Sequence, residues 1–97
     1  MLAKIWNKNG WTSETQKEKL VEICDEALKD AGFNILGELE HDFVPQGFTK
    51  LYLLGESHFA IHTFPEHGKT YIELSSCNEV MYNKCIDIIN KKLQIYK

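Results

Sequence analysis

Apolar and polar positions in this chain repeat with two periods, and each change of period marks an element. Between residues 14 and 31 the period is helical: Leu20, Ile23, Cys24, Ala27, Leu28 and Ala31 recur on one face. Ser13 and Gln16 stand at capping-box spacing before that run, and Gly32 stands where a C-terminal glycine cap belongs. A second helix is predicted from Glu79 to Leu93, with Met81, Tyr82, Cys85, Ile88 and Ile89 turned inward. Elsewhere the period shortens towards two. Leu2 to Trp6 reads as a first strand, followed by a turn at Asn7 to Gly10. Phe33 to Glu40 reads as a second strand and Leu51 to Leu54 as a buried one. Between them Phe43-Val44-Pro45-Gln46-Gly47 is a loop, because proline and glycine interrupt any ladder. Ser57 to Phe64 and Thr70 to Ser76 read as the arms of a hairpin, with Pro65-Glu66-His67-Gly68 as its turn. A regular hairpin about that turn sets His62 opposite Tyr71, and alternation puts Cys77 on their face, consistent with a common site.

The order strand, helix, several strands, helix implies an α+β fold. The expected form is a two-layer sandwich, one antiparallel β-sheet with two helices on one face. Residues 1–97 are read as one domain. The other sheet face then needs cover, which a second copy would supply. A chain of 97 residues also hides a catalytic site poorly, so a homodimer or larger oligomer with a shared site is expected. Composition is ordinary for a globular protein, and the net charge of -3 disfavours nucleic acid or an anionic membrane as partner. No run is long and apolar enough to span a membrane, and no signal peptide opens the sequence. Three cysteines without CxxC spacing fit neither a disulfide framework nor a zinc site, which points to a cytoplasmic protein.

Candidate chemistry concentrates in Gly55-Glu56-Ser57-His58 and Ile61-His62-Thr63-Phe64-Pro65-Glu66, with Cys77 fifteen residues after His62. Serine is a weak nucleophile unless activated. For a serine to break the backbone, its hydroxyl attacks the preceding carbonyl, here that of Glu56. An ester forms, a base removes the serine α-proton, and elimination gives dehydroalanine. That group hydrolyses to a pyruvoyl group and ammonia. Such a junction needs local strain, a nearby base and a donor for the tetrahedral intermediate. Gly55 offers conformational freedom just upstream, and His58 and His62 are candidate bases. A metal site at His58 and His62 is not expected, because on a strand they stand about 13 Å apart. The plain alternatives are structural. Serine beside histidine on a strand is commonplace, and Cys24, Cys77 and Cys85 can each be a small buried hydrophobe.

The pattern Phe43, Pro45, Gly47, Thr49, Glu56-Ser57-His58, Ile61-His62-Thr63-Phe64-Pro65-Glu66, Gly68 and Cys77 resembles the prokaryotic S-adenosylmethionine decarboxylases without a gap. The resemblance implies that the chain cleaves itself between Glu56 and Ser57, and that Ser57 becomes a pyruvoyl cofactor. It implies that His62 assists processing, and Thr49 matches a serine that stabilises the intermediate. In the decarboxylation that the resemblance implies, the substrate amine condenses with the pyruvoyl group, carbon dioxide leaves, and Cys77 returns a proton. Phe43 and Phe64 match aromatics that sandwich adenine, and Glu66 matches an acid on the ribose hydroxyls. The small-molecule substrate is then S-adenosylmethionine and the pathway spermidine synthesis. Lys50 and Asp42 depart from the usual pattern, and an acid near the pocket would suit ornithine or arginine instead. The family also continues into a further strand, a sheet edge that is expected here to be missing or only begun by Gln94 to Tyr96. A relative that never cleaves and acts as a regulatory partner is the reading from a different class.

Overall fold

A computed structural model describes residues 3–97. The elements in chain order are β1 (Trp6–Thr12), α1 (Lys17–Asp30), β2 (Ile35–Asp42), β3 (Phe48–Leu54), β4 (Ser57–Phe64), β5 (Lys69–Ser76) and α2 (Glu79–Leu93). The strands form one antiparallel sheet in the order β1-β5-β4-β3-β2. Both helices pack on one face of it, giving the expected α+β sandwich.

Alternation along each strand decides which side chains meet the helices. Ile72 and Leu74 on β5, Phe59 and Ile61 on β4, and Phe48, Tyr52 and Leu54 on β3 form the sheet side of the core. Leu20, Cys24, Ala27 and Leu28 of α1 and Cys85, Ile89 and Leu93 of α2 form the helix side. Phe59 and Tyr52 meet edge to face at 5.7 Å. Each fully buried large side chain here contributes about 1.5–3 kcal/mol by leaving water. The opposite sheet face stays open and is apolar at one side, with Leu39, Leu53 and Leu51 exposed at 71%, 59% and 44%.

The hairpin and α2 agree closely with the sequence reading. Pro65–His67 tightens into one 3-10 turn, and Gly68 takes the left-handed conformation at φ 63°. His62 pairs with Tyr71 as expected. Asn78 caps α2, its side chain accepting the Met81 N–H at 3.0 Å. Gly32 (φ 100°) ends α1, and the Phe33 N–H reaches the Leu28 carbonyl at 3.0 Å.

Four boundaries differ. Residues Asn7 to Gly10, read as a turn, lie in the middle of β1; Leu2, read as strand, lies outside the described residues. The Asn7 amide is held by Glu73 and Ser75 of β5, so its polarity is satisfied within the sheet. Gly10 sits there because the tail crosses it. A Cβ at Gly10 would lie 2.5 Å from Ile95 Cγ2 and 2.6 Å from the Tyr96 carbonyl oxygen. Tyr96 pairs with Trp11 in a single antiparallel bridge beside β1. The Ser13–Gln16 capping box does not form. Gln16 is the N-cap with no side-chain bond, and Glu14 accepts the N–H groups of Thr15 and Gln16 at 3.1 and 3.0 Å. Strand β2 runs two residues later than predicted, and β3 begins at Phe48 instead of Leu51.

Candidate active site

The site residues gather at the two ends of β4. At its start, a two-residue turn of Gly55 and Glu56 joins β3 to β4, with Leu54 paired to Ser57. The left-handed residue of this turn is Glu56, at φ 55°, and not the glycine before it. For a residue with a Cβ, that conformation costs about 1–2 kcal/mol. The strain therefore falls on the residue whose carbonyl Ser57 would attack. Cys77 Sγ lies 3.5 Å from that same carbonyl oxygen and 3.4 Å from Glu56 Oε2. Partial desolvation, and then the Glu56 carboxylate, hold the Cys77 thiol above its ordinary value and so keep it protonated. Ser57 faces the helix layer and is buried; its hydroxyl donates to Ser76 Oγ at 2.9 Å. A cleft of about 400 Å³ opens at this end, lined by Ile5, Leu53, Leu54, Glu56, Ser57, His58 and Ser75.

At the far end, Thr49 and His62 are cross-strand partners on the open face, Thr49 Oγ1 lying 3.1 Å from His62 Nδ1. Both line a cleft of about 380 Å³ with Phe43, Phe64, Glu66, Gln46, Gly47 and Thr63. Five residues singled out in the sequence thus share one cavity. The Phe43–Gly47 loop is closed by the Phe43 N–H on the Gly47 carbonyl at 2.8 Å. Thr63 fastens the start of β3 beneath it, its hydroxyl accepting the Phe48 N–H at 2.7 Å. Trp11 leans on Phe64 at 5.9 Å and on Tyr71 at 5.4 Å, and Lys69 caps Trp11 at 4.1 Å.

One chain does not bring the two groups together. Ser57 and His62 are five residues apart on β4, about 16 Å along the strand and on opposite faces. The odd spacing sends Ser57 to the helix side and His62 to the open side. The expected hairpin register is present, yet Cys77 lies six residues beyond Tyr71, about 20 Å away along β5. The single common site expected of His62, Tyr71 and Cys77 is therefore not formed in one chain. Register fixes a shared face but says nothing of distance along it.

The two residues that departed from the family pattern face away from the open cleft. Asp42 is bound by Lys17 Nζ at 2.8 and 3.1 Å. Lys50, on the helix side of β3, is tied to Glu38 at 2.8 Å and Glu40 at 3.5 Å. Both charges are thus paired on the helix side of the sheet, and neither residue lines the cleft of Phe43 and Phe64. Two residues of the site were missed from sequence. Ser76 was legible, since the register that pairs His62 with Tyr71 also pairs Ser57 with Ser76. Trp11 was not, because its strand was read as ending before it. Among the described residues no group of three or more metal-ligating side chains converges, and no helix is long and apolar enough to cross a membrane.

Residues 11–97 match the family model described as S-adenosylmethionine decarboxylase. The S-adenosylmethionine decarboxylase proenzyme of Prochlorococcus marinus (strain MIT 9211) is 42% identical over 69 residues, covering 70% of this chain and 57% of that protein. The proenzyme of Persephonella marina is 43% identical over 60 residues, 62% of this chain and 45% of that protein. That of Geobacillus sp. (strain WCH70) is 32% identical over 87 residues, 86% of this chain and 70% of that protein. The chain spans about half the length of the first curated relatives it matches. The crystal structure of the adenosylmethionine decarboxylase from Aquifex aeolicus VF5 superposes with a TM-score of 0.73 at 25% identity, over 96% of this chain and 79% of that one. A match running from Trp11 to the last residue, on a sheet and helix layer that superpose throughout, leaves one assignment: the chain belongs to the S-adenosylmethionine decarboxylase family.

Proposed function

We propose that this protein is a proenzyme that cleaves itself between Glu56 and Ser57 and then decarboxylates S-adenosylmethionine, supplying the aminopropyl donor for spermidine synthesis. The observation that carries this is the junction itself. A left-handed Glu56 precedes a buried serine, and a protonated thiol sits on the Glu56 carbonyl. Strain in Glu56 favours leaving the amide, and Cys77 donates to the oxygen on which charge develops. Ser57 attacks, the Glu56–Ser57 amide becomes an ester, and loss of the Ser57 α-proton releases the Glu56 carboxylate. Water then removes the nitrogen as ammonia.

The pyruvoyl group left from Ser57 supplies an electron sink for loss of carbon dioxide. Its place in the cleft of Glu56, His58 and Ser75 suits it, since Cys77 stands ready to give a proton there. Phe43 and Phe64 offer flat faces for adenine, and Glu66 a paired acceptor for the ribose hydroxyls. Asp42 and Lys50 are engaged in ion pairs on the helix side of the sheet, which favours S-adenosylmethionine over ornithine or arginine. Thr49 and His62 act on a Ser57 junction from a second copy, whose open face covers the exposed Leu39, Leu51 and Leu53. A homodimer is thus part of the proposal, as are residues 1–97 acting as one unit and a cytoplasmic setting.

Denaturing mass analysis tests the processing step. Wild type gives two fragments, the C-terminal one without a free amino group, and Ser57→Ala stays whole. Scission at this bond in Ser57→Ala refutes the mechanism. Carbon dioxide release from S-adenosylmethionine, ornithine and arginine then tests the substrate. Turnover of either amino acid with none of S-adenosylmethionine refutes that choice.

A further inference from the structure

Among the described residues the hydroxyl of Ser57 has one hydrogen-bond partner, and that partner is buried in the interior. Ser57 Oγ donates to Ser76 Oγ at 2.9 Å, inside the sheet-helix interface, where Ser76 is fully buried. Ser76 is itself held from the other side. Its Oγ accepts the Asn78 N–H at 3.0 Å and turns its own proton towards the Asn78 carbonyl at 3.4 Å. Asn78 in turn caps α2 through the Met81 N–H. The proton of Ser76 is thus directed away from Ser57, and a lone pair of Ser76 is the acceptor left to face it. A serine on a strand has three staggered side-chain rotamers. This contact selects one and points the Ser57 proton into the interface, leaving the Ser57 lone pairs free.

We infer that Ser76 is a positioning residue for self-cleavage: it fixes the Ser57 hydroxyl for attack on the Glu56 carbonyl, and the backbone of Asn78, just before α2, fixes Ser76. The inference rests on the proposal that the chain cleaves itself. Attack requires the oxygen within about 3–3.5 Å of the carbonyl carbon with a lone pair aligned, and fixing one rotor removes most unproductive arrangements. Cys77, one residue on, holds the carbonyl from the other side of the chain. Successive residues of one strand end therefore hold the nucleophile and the electrophile.

The test tracks cleavage with time by denaturing mass analysis in wild type, Ser76→Thr, Ser76→Val and Asn78→Ala. Threonine and valine have the same shape and differ in the hydroxyl. Ser76→Thr is expected to cleave within about threefold of wild type. Ser76→Val is expected to slow by about tenfold or more, the effect of losing one hydrogen bond that orients a reacting atom. Asn78→Ala removes the cap on Met81 but keeps the backbone groups that hold Ser76. It is expected to melt at a lower temperature and still cleave near the wild-type rate, which a purely structural role for Ser76 does not predict. Equal rates for Ser76→Val and Ser76→Thr overturn the inference, as does a slowing in Asn78→Ala that matches Ser76→Val. If Ser76→Val does not fold, Ser76→Ala takes its place in the same comparison with Ser76→Thr. Wild type that never cleaves overturns the self-cleavage reading, whereas a cleaving wild type with an indifferent Ser76 overturns only this one.

Discussion

Ser57→Ala, expressed together with His62→Ala, is expected to restore cleavage to the His62→Ala chains. His62→Ala keeps the nucleophile and lacks the processing histidine; Ser57→Ala keeps the histidine and lacks the nucleophile. Proton transfer needs heavy atoms within about 2.6–3.2 Å. Within one chain Ser57 and His62 are about 16 Å apart, with the sheet between their side chains. No rotamer change closes that gap, so a His62 that assists processing must serve a Ser57 on another copy. A general base contributes about 10²–10⁴-fold, so His62→Ala alone should cleave slower by that factor. In an equal mixture with random pairing, about half of the Ser57-bearing chains meet a partner with an intact His62. Roughly that half should cleave at a near-normal rate, and the rest should stay slow. The variants differ in mass, so one denaturing spectrum counts both populations with time. A mixture that cleaves no faster than His62→Ala alone refutes the shared site. Wild-type cleavage by His62→Ala alone refutes the role of the histidine.

Glu56→Gln removes the carboxylate that, after desolvation, raises the Cys77 thiol. A thiol that serves as the proton donor is lost as pH rises through its pKa, so the alkaline limb of decarboxylation should move to lower pH; an unmoved limb refutes Cys77 as proton donor. Phe64→Ala should weaken S-adenosylmethionine binding by about tenfold or more through lost stacking and burial, read by titration, and unchanged affinity removes Phe64 from the adenine site. Gly10→Ala places a methyl 2.5 Å from Ile95 Cγ2 and should cost about 1–3 kcal/mol. At about 4–8 °C per kcal/mol the melting temperature falls measurably, and an unchanged value shows that the tail does not pack there.

The hairpin, α2 and the helix-layer core were legible because strong signals agreed there. Pro65 and Gly68 fixed a turn, and alternation on both sides fixed register and faces. Strand β1 was hidden because Asn7, Asn9 and Gly10 carry turn chemistry. Their places are set by Glu73 and Ser75 across the ladder and by Ile95 and Tyr96 above it, all distant in sequence. The same limit applies to the site. The family resemblance named the residues, and Phe43, Thr49, His62, Phe64 and Glu66 do share a cleft. That Glu56 and not Gly55 takes the left-handed turn depends on how β3 and β4 close, which no single position encodes. That Asp42 points to Lys17 depends on the face β2 presents after its bulge near Gly37.

The sheet order carries one more consequence. Scission between Glu56 and Ser57 would leave β1, α1, β2 and β3 on the first fragment and β4, β5 and α2 on the second. In space the second fragment's hairpin lies between β1 and β3, so neither fragment owns a continuous sheet. Each fragment would expose strand edges alone, and the pair would be interleaved instead of docked side by side. Unfolding would then lead to dilution of two chains, and return would require a bimolecular encounter with β1 and β3 spread apart. The cut form would persist through the slowness of its opening, since what the intact chain can fold as one piece the cut form must reassemble as two.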